Sequence, residues 1–309
     1  MSRIAFIYPG QGSQAVGMGK EFFDNYQVSR EVFEESNDIL GLDLMDMIFN
    51  GPKEALQQTE NTQPALLVTS VAINRVLESE GISPAVVAGH SLGEFTAYVA
   101  SGALSFAEGL RTVRKRGELM ANADPEGKGA MAAIIGLDDD LVEEVCKSAS
   151  DVGMVVPANY NCPGQVVISG EKPAVDKAIE LAKERKARMA VPLDVSGAFH
   201  SPLIEAASHE FESFLNTIEV KSPAIPVISN VTADVVALDG VKASWVKQML
   251  SSVLWKRSVD KMVEMGVDCF VEVGAGKVLQ GLVKKSAKGV NIHGVDSIAA
   301  LEKTLGNLK

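Results

Sequence analysis

A serine at position 91 has the sequence surroundings of a reactive hydroxyl. It is the central residue of a Gly-His-Ser-Leu-Gly motif at 89–93, which follows the apolar run 85–88 and precedes the helix-like run 92–100. This pattern predicts a sharp turn between a buried strand and a helix, which displays the hydroxyl above a sheet and points the helix N-terminus at it. We therefore predict that Ser91 is a nucleophile. The alternative is a tight turn whose serine only caps the helix.

A serine nucleophile needs a neighbouring base, and the chain contains four histidines. His90 adjoins Ser91, and neighbours on a tight turn point in different directions. His209 falls in a polar helical segment, and His293 lies near the C-terminus. His200 lies in a loop between two predicted domains, where it can reach a cleft. We predict that His200 is the base, the alternative being a structural loop histidine.

The base and the reacting oxygen both need partners. An acceptor must hold the imidazole in one tautomer. Asp194 is a candidate, and a backbone carbonyl could serve equally well. A tetrahedral oxyanion needs two N–H donors. We predict that the N–H of Leu92 is one, and that the glycine-containing loop 9–14 supplies the other. That loop lacks the glycine spacing of dinucleotide and phosphate loops, which argues against nucleotide hydrolysis.

A helix predicted at 105–122 carries several cationic residues, and its first residues have the pattern of a capping box. The cationic residues are Arg111, Arg114, Lys115 and Arg116. We expect most of them to lie on the solvent-exposed face of the helix, and composition does not show which, if any, points into the cleft. A guanidinium buried in the cleft would indicate a carboxylate ligand, because it offers a bidentate pair of donors.

Strands and helices alternate over most of the chain, which predicts a mostly parallel sheet with helices on both faces. The predicted strands are 4–8, 85–89, 226–230 and 269–274. Besides 105–122, the predicted helices are 62–80, 203–216, 241–251, 258–266 and 278–287.

The middle of the chain has a different order of elements, β-α-β-β-α-β, which is typical of a ferredoxin-like unit. Its predicted strands are 129–135, 155–159, 166–169 and 189–193, and its helices 138–149 and 173–186. We predict an inserted subdomain at 127–194 within a core formed by 1–126 and 195–309. The cleft between the two would be a natural substrate site.

Composition restricts the class of protein. The chain has 309 residues and a net charge of −11, which disfavours nucleic acid or an anionic membrane as the main partner. Cys146, Cys162 and Cys269 have no paired or metal-binding spacing, so we expect no metal site and a reducing compartment. No run of about 20 apolar residues is present, and the first residues predict a strand rather than a signal peptide. We expect a cytoplasmic protein.

Taken together, these motifs resemble the malonyl-CoA:acyl carrier protein transacylase family, from the first strand to about residue 285. The residues that carry the resemblance are 9–14, 89–94, Arg116, 159–161, 163–165, 197–200 and 272–274. The resemblance implies an α/β hydrolase-like core with an inserted ferredoxin-like subdomain, in agreement with the order of elements. It also implies no bound cofactor, with malonyl-CoA as substrate and phosphopantetheine carried by the partner.

The resemblance implies a role for each matching residue. Ser91 would be acylated, His200 would be the general base, and Leu92 and Gln11 would donate backbone N–H groups to the oxyanion. The base would be oriented by a main-chain carbonyl, with Gln248 as the matching residue, although Ser251-Ser252 replaces the family's frequent Asn-Pro. The implied substrate-binding residues are Arg116, which would pair with the malonyl carboxylate, and His90, Asn159 and Phe199.

The resemblance implies an acyl carrier protein as the partner. Acyl carrier proteins are acidic, and this chain is acidic too, so docking would need a local basic patch. Two clusters are candidates: Lys183, Arg185, Lys186 and Arg188, and Lys284, Lys285 and Lys288. We expect a monomer that supplies fatty-acid synthesis. The alternatives are malonyl loading of a polyketide-synthase carrier protein, a serine esterase or thioesterase, and a non-catalytic binding protein.

Overall fold

The computed structural model describes residues 2–124, 126–195 and 197–308, so that Met1, Pro125, Ser196 and Lys309 lie outside the described residues. Its strands are β1 (Ile4–Tyr8), β2 (Val86–Gly89), β3 (Gly129–Ile135), β4 (Val155–Cys162), β5 (Gln165–Glu171), β6 (Met189–Pro192), β7 (Val227–Ile228), β8 (Cys269–Val273) and β9 (Asn291–Val295).

Fourteen α-helices are found in the described chain. They are α1 (Lys20–Asn25), α2 (Gln27–Leu40), α3 (Leu44–Asn50), α4 (Lys53–Gln57), α5 (Thr59–Ser79), α6 (Gly93–Ala100), α7 (Phe106–Ala121), α8 (Asp139–Ala149), α9 (Lys172–Glu184), α10 (Glu205–Leu215), α11 (Val241–Leu250), α12 (Trp255–Glu264), α13 (Val278–Ser286) and α14 (Ile298–Leu308).

Five strands form a parallel sheet in the order β7-β2-β1-β8-β9. Strands β1, β2 and β8 are almost wholly buried, which explains why their sequences are continuous apolar runs rather than alternating ones. Parallel strands place their carboxyl ends at one edge, so the segments after β1, β2 and β7 converge there. This confirms the predicted mostly parallel sheet.

The second sheet is antiparallel, in the order β4-β5-β3-β6, and lies wholly between residues 129 and 192. Helices α8 and α9 pack together against it and enclose a hydrophobic core that is separate from those of the parallel sheet. The α/β fold with an antiparallel second sheet therefore agrees with the predicted class. The division into 1–126 with 195–309 and 127–194 stays a prediction.

Strand β5 is three residues longer than its prediction, and two strands nearer the candidate site also differ from their predictions by three residues. Strand β7 has only two residues instead of the predicted five, because Ser229 turns back to bond Asp234 and the N–H of Asn230 bonds a side chain. Strand β4 continues to Cys162 through irregular pairing around Ala158, which re-aims the side chains beyond it. Both departures lie beside the residues predicted to do chemistry.

Candidate active site

Ser91 lies in the turn between β2 and α6 and has a left-handed backbone conformation, with φ 50°. The N–H of His90 donates to the carbonyl of Tyr8 at 3.0 Å, which ties the turn to the end of β1. A Cβ on Gly93 would lie 2.1 Å from the Tyr8 oxygen, so only glycine allows this close approach. The N–H of Ser91 donates to Asn230 Oδ1 at 2.7 Å. Strand, turn and helix therefore follow the predicted arrangement, with the hydroxyl displayed at its corner.

The Ser91 hydroxyl lies between a hydrogen-bond acceptor and a hydrogen-bond donor. Its Oγ is 2.8 Å from Nε2 of His200 and 3.1 Å from Nη2 of Arg116. Because a guanidinium only donates, the serine oxygen accepts from Arg116 and its own proton is directed to His200. The structure thus brings together the serine, the histidine and the arginine singled out in the sequence.

The tautomer of His200 is determined by the main chain. Its Nδ1 lies 2.7 Å from the carbonyl oxygen of Gln248, which can only accept, so Nδ1 carries the proton and Nε2 is free to accept. Gln248 is in the last turn of α11, where carbonyl groups lack helical partners and the helix dipole favours positive charge. Of the two acceptors left open by the sequence, the carbonyl is the one found. Asp194 is exposed and does not fill this role.

His200 is 4% exposed, and this burial lowers the pKa of its imidazole to about 3, with the nearby Arg116 charge lowering it further. The residue also has a left-handed backbone, with φ 57°. At neutral pH the imidazole is therefore uncharged, as a base must be before it accepts a proton.

Arg116 is the one buried residue among the four cationic candidates of α7, at 1% exposure, whereas Arg111 is exposed. Its Nη1 donates to Gln63 Oε1 at 2.7 Å and its Nη2 to Gln248 Oε1 at 3.0 Å. Its Cζ lies 5.4 Å from the ring centroid of Phe95. Burial lowers the pKa of this guanidinium to about 10, so it remains charged at neutral pH.

Three polar residues of this site were missed by the sequence analysis. Gln63 binds Arg116 and is buried in α5; Asn230 follows β7 and holds the Ser91 turn. Glu94 is fully buried in α6, three residues after Ser91. Burial raises the pKa of the Glu94 carboxyl to about 7, and hydrogen bonds and the Arg116 charge oppose that rise. A lone carboxylate in the otherwise apolar run 92–100 was the signal that could have found it.

The two residues predicted to supply oxyanion donors, Gln11 and Leu92, line the same cavity as Ser91. Gly10 allows loop 9–14 to contact the turn, because a Cβ there would lie 2.5 Å from the His90 oxygen. The N–H groups of Gln11 and Leu92 form no hydrogen bond within the described residues, and both residues line the same cavity as Ser91. They are therefore available to a bound oxygen.

The cavity around Ser91 has a volume of about 120 Å³. Its lining residues are Gln11, Gln63, His90, Ser91, Leu92, Arg116, Met120, Met131, Asn159, Leu193, Val195, Phe199 and His200. Met131 and Asn159 belong to the antiparallel sheet, so the cavity lies between the two sheets. An outer cleft of about 610 Å³ shares Gln11, Leu193 and Val195 with it and opens towards Asp194.

The other predicted substrate-binding residues also border this cavity. Phe199 is buried beside the histidine, and Asn159 presents a side chain that bonds no other described residue. His90 is less free, because its Nε2 lies 2.8 Å from Asn161 Oδ1 and its ring lies 5.7 Å from that of Trp255. Across residues 2–124, 126–195 and 197–308, no cluster of His, Cys, Asp and Glu is arranged to hold a metal ion.

Comparison with known proteins agrees with this geometry. The acyl transferase domain family matches residues 5–308. A malonyl CoA-acyl carrier protein transacylase from Bacillus subtilis (strain 168) is 45% identical across 100% of this chain and 98% of that protein. The chain belongs to this transacylase family. As a member, it is an acyltransferase, and the predicted resemblance is confirmed.

Solved members of the family share its fold. An acyl carrier protein S-malonyltransferase from Vibrio cholerae superposes with a TM-score of 0.95 at 43% identity, covering 98% of this chain and all of that one. A malonyl-transacylase in complex with its type II polyketide-synthase acyl-carrier protein gives a TM-score of 0.96 at 40% identity, covering 99% of this chain and 100% of that one. None of the helices in the described ranges is both long and apolar enough to cross a membrane.

Proposed function

We propose that this chain transfers a malonyl group from malonyl-CoA to the phosphopantetheine thiol of an acyl carrier protein, through an ester on Ser91. The observation that carries the proposal is a buried guanidinium 3.1 Å from a serine oxygen that is also 2.8 Å from a neutral histidine. A hydrolase acting on neutral acyl groups has no use for Arg116 there. A malonyl ester on Ser91 would carry its carboxylate three bonds from Oγ, within reach of that cation.

In the first half-reaction His200 Nε2 removes the Ser91 proton while Oγ attacks the thioester carbonyl carbon. The carbonyl electron pair moves to oxygen, and the N–H groups of Gln11 and Leu92 are available to bind this oxyanion. As the C–S bond breaks, the CoA sulfur takes the proton from His200. The malonyl-serine ester and free CoA thiol remain, and proton and charge balance.

The second half-reaction reverses these steps with a different thiol. The phosphopantetheine thiol gives its proton to His200 and attacks the ester carbonyl. The oxyanion forms at the same two N–H groups, and Ser91 leaves with the proton returned by His200. Kinetics should therefore be ping-pong. The carbonyl of Gln248 stabilises the imidazolium in both halves by accepting from Nδ1.

The carrier protein is proposed to dock on a basic surface formed by the two predicted lysine and arginine clusters. Lys285 donates to Gln165 Oε1 at 3.3 Å. In the antiparallel sheet Gln165 on β5 is opposite Ile135 on β3, and Ile135 is opposite Met189 on β6, the residue after Arg188. Two strand spacings, about 10 Å, therefore separate the backbones of Gln165 and Met189, each of which lies beside one cluster. Lys284, Lys288, Lys183 and Lys186 are also exposed, whereas Arg185 is partly used by Glu144.

We propose that the enzyme is a monomer in the cytoplasm and that its product supplies fatty-acid synthesis. Loading of a polyketide-synthase carrier protein remains the second candidate, because one of the similar structures is such a complex. The two pathways load the same unit, so the site chemistry is common to both. Comparing transfer rates to a fatty-acid and a polyketide carrier protein distinguishes them.

Intact-mass measurement tests the proposal. Incubation with malonyl-CoA should add one malonyl group to the wild-type chain, and phosphopantetheinylated carrier protein should then remove it. An adduct that persists on Ser91→Ala would contradict the proposed nucleophile. Loss of the adduct to water as fast as to carrier protein would favour the thioesterase alternative.

A further inference from the structure

Glu94 is a buried carboxylate for which the reaction scheme has no use. Its Oε2 accepts two hydrogen bonds of 2.8 Å, from the N–H of Asn230 and from Nε2 of Gln248. Its other oxygen, Oε1, is buried without a partner among the described residues. Oε2 therefore holds Asn230 and Gln248 in place, and Oε1 can gain or lose a proton without breaking these hydrogen bonds.

Gln248 joins this carboxylate to the proposed malonyl site. Its Nε2 donates to Glu94 while its Oε1 accepts from Arg116 Nη2 at 3.0 Å. Because Glu94 can only accept when ionised, it fixes the direction in which the amide points. The titratable groups that face Glu94 within the described chain are Arg116 on α7 and Tyr98 on its own helix. His200 is hydrogen-bonded to Ser91 and to the Gln248 main chain, and the Arg116 charge lowers the pKa of its imidazole.

A malonyl group would add a second negative charge to this cluster. The protein itself pairs one cation, Arg116, with one anion, Glu94, and a bound malonyl group would place a second carboxylate beside the same cation. Like charges that share a buried site raise the pKa of one of them. A proton on Oε1 of Glu94 would remove the excess charge without breaking either hydrogen bond to Oε2.

We propose that Glu94 takes up a proton when the malonyl carboxylate binds Arg116, and that it is a positioning residue whose charge tunes the preference for malonyl over acetyl groups. This inference rests on the proposed function. Burial raises the pKa of Glu94 to about 7, which supports the proposal, because a small further rise then shifts the protonation state at neutral pH.

The sign of the pH effect follows from this linkage. As the pH falls below about 7, a growing fraction of Glu94 is already protonated, and the malonyl carboxylate then binds Arg116 without a competing negative charge. Above pH 7 binding must first draw a proton to Glu94. The ratio of kcat/KM for malonyl-CoA to that for acetyl-CoA should therefore fall, by about tenfold between pH 6 and pH 8.5. Titration of His200 or of the acceptor thiol affects both substrates and cancels in the ratio.

The decisive variant is Glu94→Gln, which can keep an acceptor towards Asn230 and Gln248 but carries no charge. Its malonyl-to-acetyl ratio should be independent of pH and equal to the low-pH value of the wild type. Glu272→Gln is the matched control. Glu272 is also fully buried, its pKa is raised by burial, and it bonds the N–H groups of Leu279 and Gln280 instead. This control should retain the pH dependence of the wild type.

A second measurement needs no variant. Mixing the wild-type enzyme with malonyl-CoA in weak buffer containing a pH indicator at pH 7 should take up more protons than mixing with acetyl-CoA, after correction for the CoA thiol released. Intact mass of the same samples reports the acyl adduct. A missing malonyl adduct contradicts the proposed function; an adduct with equal proton uptake for both substrates, or a ratio in Glu94→Gln that still varies with pH, overturns the role of Glu94.

Discussion

The two halves of the site are held in different ways. Ser91 and His200 both have left-handed backbones; the Gln248 carbonyl orients His200, and the Tyr8 carbonyl and Asn230 hold the turn around Ser91. Arg116 is instead held by the side-chain amides of Gln63 and Gln248, with Glu94 as the nearby negative charge. In the proposed reaction, the contact that distinguishes a malonyl from an acetyl group is made by Arg116, and not by Ser91 or His200. Substitutions of Ser91 or His200 should therefore lower transfer of all acyl groups, whereas substitutions in the arginine cluster should change the preference for malonyl over acetyl groups.

The largest effect is expected at the nucleophile. Ser91→Ala should reduce transfer of malonyl and acetyl groups alike, by a factor on the order of 10⁵ or more, because no ester can form. Steady-state transfer assays with both CoA esters measure this loss. Ser101→Ala is the control and should remain active, because this hydroxyl, at the far end of α6, donates to the Tyr98 carbonyl and bonds no other described residue. Substantial transfer by Ser91→Ala would contradict a covalent intermediate on Ser91.

The next effect is expected at the base. His200→Ala should lower kcat/KM for both substrates by about 10²–10⁴, since general-base assistance is lost while the arginine cluster is intact. The malonyl-to-acetyl ratio should stay within a factor of about two of the wild-type value. His209→Ala, an exposed residue of α10, controls for loss of a histidine. A selective loss of malonyl transfer would mean that the two halves are not separate.

Arg116→Ala should have the opposite signature. Malonyl transfer should fall by about 10², the worth of charge-assisted hydrogen bonds to a carboxylate, whereas acetyl transfer should be unchanged or faster. Glu94 would lose its counterion in this variant but can accept a proton on Oε1, which limits damage to the fold. Arg111→Ala, on the exposed face of the same helix, is the matched control. Equal losses for both substrates would show that Arg116 is structural.

The smallest effect among these is expected at the residue shared by both halves. Gln248→Ala keeps the main-chain carbonyl that orients His200 and removes the amide between Glu94 and Arg116. Malonyl transfer should fall about tenfold more than acetyl transfer, since one hydrogen bond to the guanidinium is lost. Kinetics with both CoA esters report the split. If acetyl transfer falls as far, the side chain is needed to hold the carbonyl as well.

The sequence predicted that Ser91 and His200 lie together, because the constraints on the Ser91 turn are local. Glycines around Ser91, an apolar run before it and a helical run after it all describe one turn, and only four histidines competed for the base. The partner of His200 could not be predicted, because a main-chain carbonyl has no residue signature. Only the fold brings the end of α11 to the imidazole.

The selecting half was harder to predict because its members come from distant segments. Gln63, Glu94 and Asn230 are ordinary polar residues in three separate elements, and each acquires a role only through burial next to Arg116 or Ser91. Arg116 itself could not be distinguished from Arg111 by pattern, and the family resemblance identified it. Buried polar residues in apolar elements were the available signal, since burial demands a partner.

The most direct test of separate reaction and selection is competitive acylation. Wild-type chain and Arg116→Ala would each be mixed with equal concentrations of malonyl-CoA and acetyl-CoA, and the adducts on Ser91 measured by intact mass at short times. We expect mainly malonyl-serine on the wild type and mainly acetyl-serine on Arg116→Ala, at comparable total acylation. The same malonyl preference in both proteins, or no adduct of either kind on Arg116→Ala, would contradict it.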